Sequence, residues 1–225
     1  MSTLTLVRHG QARAFEQDSD RLSELGEQQA RLLGEWWAAR GVRFDEVYCG
    51  TLERQRRTAE LAGHAAPIVN PAWNEYDAHG VLAMAAREDR FTGLLADYER
   101  HRWTPEANRY FQRVFEAAMT QWVSGELASR EVESWEDFRG RVTTALLGII
   151  ERQASGLRVL VVTSGGPIGA CVQHALGAPP EKALELNWRV RNSSISDFLF
   201  RNGRISLDSF NTLPHLPGPA LISYR

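Results

Sequence analysis

The stretch RVLVVTSGGPIG, residues 158–169, decides the fold class of this chain. The predicted strand Arg158–Val162 is short, and every residue after its first arginine is apolar. This pattern is typical of a strand buried on both faces of a parallel sheet. The glycines that follow indicate a tight turn, and the apolar spacing of Ile168–Leu176 predicts a helix after it. A buried strand that runs through glycines into a helix is the repeating unit of α/β folds.

The same alternation of strand and helix continues outward from this stretch. Apolar periodicity predicts further strands at Leu4–Val7 and Phe44–Cys49 and helices at Leu25–Arg40, Leu52–Ala62 and Glu133–Gln153. Near the end of the chain, Asn202-Gly203 separates Ser194–Phe200 from Arg204–Phe210, which predicts a β-hairpin. We therefore expect an α/β fold, a three-layer sandwich with a mainly parallel central sheet and one antiparallel edge strand.

Residues 79–132 interrupt this alternation. The segment is rich in aromatic residues and in helical spacing, and it contains no obvious strand. We interpret it as a helical insertion within a single domain that spans residues 1–225. We expect the insertion to cover the end of the sheet at which the active site lies.

Composition narrows the class of protein. The 225 residues are 43% hydrophobic and 24% charged, as in an ordinary soluble globular protein, which excludes disordered and collagen-like chains. The formal net charge of −2 gives no general attraction to nucleic acid or membranes. Cys49 and Cys171 match neither a zinc site nor a disulfide framework. With no signal-peptide pattern and no long apolar run, we expect a cytoplasmic protein without a nucleic-acid or membrane partner.

Polar side chains follow the predicted strands where each strand ends. Arg8–Gly10 comes directly after the first strand and Arg54 follows the second, while Ser164 and Gly165 follow the strand at 158–162. Glu75 lies in a loop between predicted elements. Because ligands of open α/β sheets bind at the carboxyl ends of the strands, we expect these side chains to act together.

Their chemistry fits a phosphoryl group. Arg8 and Arg54 can donate paired hydrogen bonds to its oxygens. A neutral imidazole of His9 can attack phosphorus, and neighbouring positive charges lower the pKa of a histidine and so keep it neutral. Glu75 can protonate the departing oxygen. Glycines beside these residues allow backbone N–H groups to approach the anion.

Four segments then resemble one family. LVRHGQA at 6–12 is similar to the signature of the histidine phosphatase superfamily, in its phosphoglycerate mutase-like branch. LSELGEQQARLLG at 22–34 resembles the segment after that signature, and VYCGTLERQRRTAE at 47–60 resembles the segment with the family's second arginine. ESWEDFRGRV at 133–142 resembles the helix before the penultimate core strand. The resemblances occur in order through most of the chain.

The resemblance implies an enzyme that forms a phosphohistidine on His9 and needs no metal. It implies that Arg8 and Arg54 bind phosphate and that Glu75 is the proton donor, and we expect no cofactor. The expected partner is a small phosphorylated substrate. The predicted substrate-binding residues are Arg8, Gly10, Gln11, Arg54, Ser164 and Gly165.

The sequence departs from the family pattern at two positions. Ser164 stands where the resemblance places a second histidine, which would contact the phosphoryl oxygens. A hydroxyl can donate a hydrogen bond but brings no positive charge, and losing such a donor costs about 100-fold in rate. His79 and His215 are the histidines considered as replacements. Phe15 stands where mutase-type members carry an asparagine, which favours a phosphatase.

The sequence thus predicts a phosphomonoester phosphatase and leaves alternatives open. One is a weakened phosphate-binding module, which the serine at position 164 suggests, and another is a phosphoglycerate mutase-type phosphotransferase. A third is an α/β-hydrolase arrangement of Ser164, Asp197 or Asp208, and His215. The sequence does not select the substrate among a small metabolite, a nucleotide-like ester and a phosphohistidine protein, nor the oligomeric state, for which a dimer is one option.

Overall fold

The computed structural model describes residues 1–13, 20–152 and 155–224. Phe15, and with it the interpretation of that position, lies outside the described residues. The chain forms two compact units. One comprises Met1–Glu75 with Arg141–Arg225, and the other is Tyr76–Gly140.

The first unit is built on a mixed sheet. Its strands are β1 (Ser2–Arg8), β2 (Glu46–Cys49), β3 (Ile68–Val69), β4 (Arg158–Thr163), β5 (Ile195–Arg201) and β6 (Arg204–Thr212). Among the described residues they lie in the order β3-β2-β4-β1-β5-β6. Strand β1 pairs in parallel with β4, so that Arg8 lies opposite Thr163, and antiparallel with β5. The carboxyl ends of β1 and β4 therefore lie side by side.

This architecture confirms the predicted α/β fold class. The hairpin forms the antiparallel edge of the sheet, with β5 against β1 and β6 outermost. The strand β3 was not predicted, because two residues carry no periodicity. Strand β4 extends one residue beyond the prediction, to Thr163.

The helices of the described residues lie between strands along the chain. They are α1 (Glu24–Ala39), α2 (Glu53–Leu61), α3 (Ala78–Ala85), α4 (Thr92–His101), α5 (Ala107–Val123), α6 (Trp135–Ile150), α7 (Gly165–Leu176) and α8 (Glu181–Asn187). The predicted helix at Glu133–Gln153 is shorter at both ends, and Gln153 itself lies outside the described residues. No helix within the described ranges combines the length and apolar character of a membrane span.

Apolar side chains from the strands and from α1 and α2 form the core of the first unit. Val7, Leu160 and Val162 from the central strands are buried together with Leu33 and Trp37 of α1. Burial of each such side chain stabilises the fold by about 1.5–3 kcal/mol. Both cysteines, Cys49 and Cys171, are free and buried. Burial raises the pKa of the Cys49 thiol to about 11.

The second unit is helical. Helices α3, α4 and α5 lie within it, together with the first residues of α6. Its aromatic residues pack together: the ring of Trp122 lies 5.1 Å from that of Tyr76 and 6.1 Å from that of Phe138. Trp122 also donates a hydrogen bond to the Glu133 carbonyl. The predictions that the chain is one domain and that residues 79–132 cover the active-site end of the sheet stay predictions.

Candidate active site

The backbone of His9 is held where β1 ends. Its N–H donates to the Thr163 carbonyl (2.8 Å), the last residue of β4. Its own carbonyl accepts from the backbone N–H of Ser193 (3.2 Å) and from Asn192 Nδ2 (3.3 Å). These contacts continue the pairing of the central strands by one residue. His9 is only 5% exposed.

The hydrogen bonds of the imidazole select its tautomer. His9 Nδ1 lies 2.7 Å from the Gly10 carbonyl oxygen, which can only accept, so Nδ1 carries the hydrogen. The other nitrogen, Nε2, accepts from Arg54 Nε at 3.2 Å. The in-plane lone pair of the ring is therefore on Nε2, where it accepts the hydrogen bond from the guanidinium.

Burial and charge keep this imidazole neutral. Desolvation lowers the pKa of His9 well below its ordinary value, and the positive charges of Arg54 and Arg8 lower it further. The hydrogen bond to the Gly10 carbonyl favours the charged form and opposes them, but it is the smallest contribution. His9 is thus neutral at pH 7.

Arg54 is held by a carboxylate that sequence analysis did not single out. Its Nη1 donates to Asp20 Oδ1 at 2.7 Å, and the other oxygen of Asp20 accepts from the Glu53 backbone N–H at 2.8 Å. Thr58, one turn further along α2, donates to the Arg54 carbonyl and accepts from the Gly10 N–H at 3.0 Å. The first turns of α2 are therefore bonded directly to the loop after β1.

Glycine at position 10 is required by packing. A Cβ at Gly10 would lie 2.3 Å from the Gly26 carbonyl oxygen in α1, and one at Gly26 would lie 2.0 Å from the Gln11 carbonyl oxygen. Gln11 is bonded to the start of α1 as well, because its side-chain oxygen accepts from Ser23 Oγ at 2.9 Å. The contacts of Gly10 and Gln11 with substrate stay predictions.

Arg8 contacts backbone carbonyls of the first unit. Its Nη1 donates to the carbonyl of Val190 and, at 2.9 Å, to that of Tyr224. The charge of Arg8 still lowers the pKa of His9. Its predicted role as a phosphate ligand stays a prediction.

The carboxylate of Glu75 lies at the N-terminus of α7. Both of its oxygens accept from the Gly166 backbone N–H, each at 3.1 Å. The loop that carries it is held by Arg141, whose Nη1 donates to the carbonyls of Ala72 (2.9 Å) and Asn74 (2.8 Å). The helix dipole favours negative charge at this end of α7, so Glu75 is placed at an anion-binding position.

Ser164 and Gly165 lie at the same helix terminus. Ser164 is the N-cap residue of α7 and is fully buried, and its Oγ accepts from Gln55 Nε2 at 2.8 Å. A Cβ at Gly165 would lie 2.1 Å from Asn187 Oδ1 at the end of α8, so glycine allows that approach. Sequence analysis missed Gln55, because it sits within a run of arginines that carries no periodic signal.

In the described part of the first unit, no hydrogen bond joins His215 to Ser164. His215 Nε2 lies 2.9 Å from Ser193 Oγ, and burial lowers the pKa of His215 to about 4, so it carries no charge at pH 7. His79 belongs to the second unit, in α3. The site of the first unit therefore gains no positive charge from His215.

The α/β-hydrolase alternative is wrong. Ser164 is bonded to Gln55 and His215 to Ser193, and Asp197 accepts from Thr5 Oγ1 at 2.7 Å. Within residues 1–13, 20–152 and 155–224, no hydrogen bond joins Ser164 to a histidine. A serine nucleophile activated by His215 would need that contact.

The first unit thus brings together a neutral imidazole, a guanidinium that donates to its Nε2 at 3.2 Å, and a helix terminus that carries a carboxylate and a buried hydroxyl. The imidazole can act as a nucleophile, and the guanidinium can stabilise negative charge on the group it attacks. The carboxyl group can transfer a proton. This combination suits transfer of an anionic group through a covalent intermediate.

Comparisons with known proteins agree with this arrangement. Residues 4–213 match the model of the histidine phosphatase superfamily, branch 1. The 2,3-bisphosphoglycerate-dependent phosphoglycerate mutase of Methylorubrum extorquens (strain PA1) is 31% identical over 182 residues, which cover 75% of this chain and 76% of the relative.

Solved structures share the fold. YhfR of Bacillus stearothermophilus superposes with a TM-score of 0.68 at 21% identity and covers 96% of this chain and 99% of its own. A phosphoserine phosphatase variant of Entamoeba histolytica in complex with phosphoserine has a TM-score of 0.64 at 20% identity, covering 96% of this chain and 100% of its own. At these identities the likeness concerns the fold.

Proposed function

The chain belongs to the histidine phosphatase superfamily, branch 1, and we propose that it is a phosphomonoester phosphatase that transfers the phosphoryl group first to His9 and then to water. The observation that supports this proposal most directly is the bonding of His9. Its Nδ1–H is held by the Gly10 carbonyl, and its Nε2 lone pair lies beside Arg54. A neutral imidazole whose Nε2 faces a guanidinium suits a nucleophile, because the same guanidinium can bind the anionic group that is attacked.

In the first step, Arg54 exchanges its hydrogen bond to His9 Nε2 for one to a phosphoryl oxygen, and the Nε2 lone pair attacks phosphorus and forms the N–P bond. The P–O bond to the leaving group breaks, and its electron pair stays on the departing oxygen. Glu75, protonated when the anionic substrate is bound beside it, gives that oxygen a proton, so the product leaves as a neutral alcohol. General-acid assistance of this kind contributes about 10²–10⁴-fold in rate.

In the second step, water attacks the phosphohistidine. Glu75, now a carboxylate, accepts a proton from the water, and the N–P bond breaks with its electron pair returning to His9 Nε2. Inorganic phosphate leaves, and both residues regain their starting protonation states. Arg54 and Arg8 offset negative charge on the phosphoryl oxygens, and the Ser164 hydroxyl and the Gly165 backbone complete the cradle.

The test is turnover of an aryl phosphate by wild type, His9→Ala, Glu75→Gln and Ser164→His, with His174→Ala as the matched histidine control. We expect activity in wild type and in the control, none in His9→Ala, and a phosphoryl adduct on wild type that is labile to acid and stable to base. We expect EDTA to leave the activity unchanged. Activity in His9→Ala equal to wild type would overturn the proposal.

The same experiment would show whether the protein is instead a phosphate-binding module without turnover. Wild type that binds inorganic phosphate without turnover, with activity appearing only in Ser164→His, would identify a silenced enzyme retained for binding. Such a result would replace the proposal.

A phosphoglycerate mutase-type transfer is the second candidate, favoured by the 31% identity to a phosphoglycerate mutase over 75% of the chain. The two activities share the phosphohistidine and differ in its acceptor. The experiment is therefore to label the phosphoenzyme and to measure whether the label passes to water or to added 3-phosphoglycerate. Release of inorganic phosphate at a rate that 3-phosphoglycerate does not change supports the phosphatase, and transfer of the label to the glycerate supports the mutase.

A further inference from the structure

Gln55 is a fully buried polar side chain next to the proposed site. It lies in the first turn of α2, one residue after Arg54, and is 0% exposed. Its Nε2 donates to the Trp73 carbonyl (3.0 Å) and to Ser164 Oγ (2.8 Å). Because a carbonyl oxygen can only accept, the bond to Trp73 fixes which end of the carboxamide faces Ser164.

This orientation determines what the Ser164 hydroxyl can do. A hydroxyl carries one hydrogen and can accept through its lone pairs. Since Gln55 presents N–H to Ser164, the oxygen of Ser164 accepts and its hydrogen is not donated to Gln55. In the parts of the chain that the structure describes, the hydrogen of Ser164 finds no other acceptor. It is therefore available to a ligand.

Gln55 is retained at a cost to folding. Its Oε1 is buried and has no hydrogen-bond donor among the described residues. The carboxamide also demands glycine at position 50, where a Cβ would lie 2.0 Å from Oε1. Leucine would fill a similar volume without a buried unsatisfied acceptor. Positions that break the rules of folding in this way tend to serve function.

We propose that Gln55 is a positioning residue, which holds the Ser164 hydroxyl so that its hydrogen is donated to a phosphoryl oxygen. This inference rests on the proposed function, which sets the phosphoryl group beside Ser164. Gln55 acts through Ser164 and does not itself touch the substrate. A serine that could turn its hydrogen toward a neighbouring carboxamide oxygen would lose this donor for part of the time.

Gln55→Leu separates positioning from structure. The Trp73 carbonyl keeps a donor in this variant, because Thr163 Oγ1 donates to it at 2.6 Å, and the unsatisfied Oε1 is removed. We expect an unfolding midpoint equal to or above that of wild type. We expect kcat to fall about 10-fold, less than the loss from deleting a donor outright, with KM within about two-fold. A purely structural residue would lower stability and activity together.

A double-mutant cycle with Ser164→Ala tests whether Gln55 acts on kcat through Ser164. Gln55→Leu should lower kcat in the presence of Ser164 and leave it unchanged in the Ser164→Ala background. Gln173→Leu, which removes another buried glutamine, in α7, is the matched control and should keep wild-type kcat. The proposal is overturned if Gln55→Leu leaves kcat unchanged, or lowers it equally in both backgrounds.

Inorganic phosphate binding distinguishes this inference from the proposed function. If wild type forms no phosphohistidine and shows no turnover, the proposed function fails, and calorimetry with phosphate on the same proteins decides the role of Gln55. Several-fold weaker binding in Gln55→Leu only when Ser164 is present supports positioning. Equal weakening in both backgrounds, or none, overturns it.

Discussion

Lowering the pH from 8 to 5 should destabilise this protein, and His215 should account for a large part of the loss. The side chain is 5% exposed, and its one hydrogen bond among the described residues joins Nε2 to Ser193 Oγ at 2.9 Å. Its Nδ1 is buried without a partner in the same part of the chain. Protonation would therefore place an unpaired charge in the interior.

The size of the effect follows from the pKa of His215 in the two states. Burial lowers it from 6.5 in the unfolded chain to about 4 in the fold. The unfolded state binds the proton more tightly, so the contribution is complete above pH 6.5 and is lost as the pH falls toward 4. Linkage gives a loss of about 2 kcal/mol at pH 5 and about 3 kcal/mol below pH 4. This is a large share of the stability of a typical domain.

The assay is urea unfolding at pH 8 and at pH 5, followed by tryptophan fluorescence, for wild type and His215→Gln. Comparing the two pH values within each protein cancels the cost of changing the hydrogen bond to Ser193. Wild type should lose about 2 kcal/mol more than the variant, or about 1 M in the urea midpoint. The variant should still lose some stability, because the pKa of His9 is also lowered. An equal loss in the two proteins would refute the reasoning.

Three further outcomes are expected. Asp20→Asn removes a carboxylate 2.7 Å from the guanidinium of Arg54, so inorganic phosphate should inhibit the phosphatase activity of the variant about three-fold more strongly than that of wild type. A change of this size lies within the energy of a partly exposed ion pair, and weaker inhibition of the variant would contradict the prediction. Arg54→Met removes a positive charge that lowers the pKa of His9, so the NMR titration of that imidazole should move toward 6.5, and an unchanged midpoint would count against the assignment. Gly10→Ala would place a Cβ 2.3 Å from a backbone carbonyl oxygen of α1 and should cost about 3 kcal/mol in urea unfolding. The control Gly148→Ala, whose Cβ would meet no atom beyond the backbone of its own helix α6, should instead stabilise the protein by about 1 kcal/mol.

The elements of the fold were predictable where the sequence carries a continuous apolar run or an amphipathic pattern over many residues. The apolar run at 158–162 and the amphipathic spacing of α1, α2 and α6 each correspond to an element of the structure, with ends displaced by a few residues. The strand β3 and the helix α8 were not predicted. The first has two residues and the second seven, and neither is long enough for periodicity to rise above chance.

The residues of the candidate site were likewise predictable only in part. His9, Arg54, Glu75 and Ser164 could be named because each follows a strand or lies in a segment with a recognisable pattern. Asp20 could not, since one carboxylate in a polar stretch is not distinguished from its neighbours. Its importance comes from a bond to a residue 34 positions away.

The sequence by itself determined the alternation of strands and helices, the family signature and the residue types that can handle a phosphoryl group, because these depend on local pattern. Only the tertiary structure decided the partners of those residues. In the folded chain Ser164 accepts a hydrogen bond from Gln55, which lies 109 positions away in the sequence, and His215 is hydrogen-bonded to Ser193. Hydrogen bonds and burial between distant segments set pKa values and donor roles, and they exist only once the chain has folded and excluded water from those atoms.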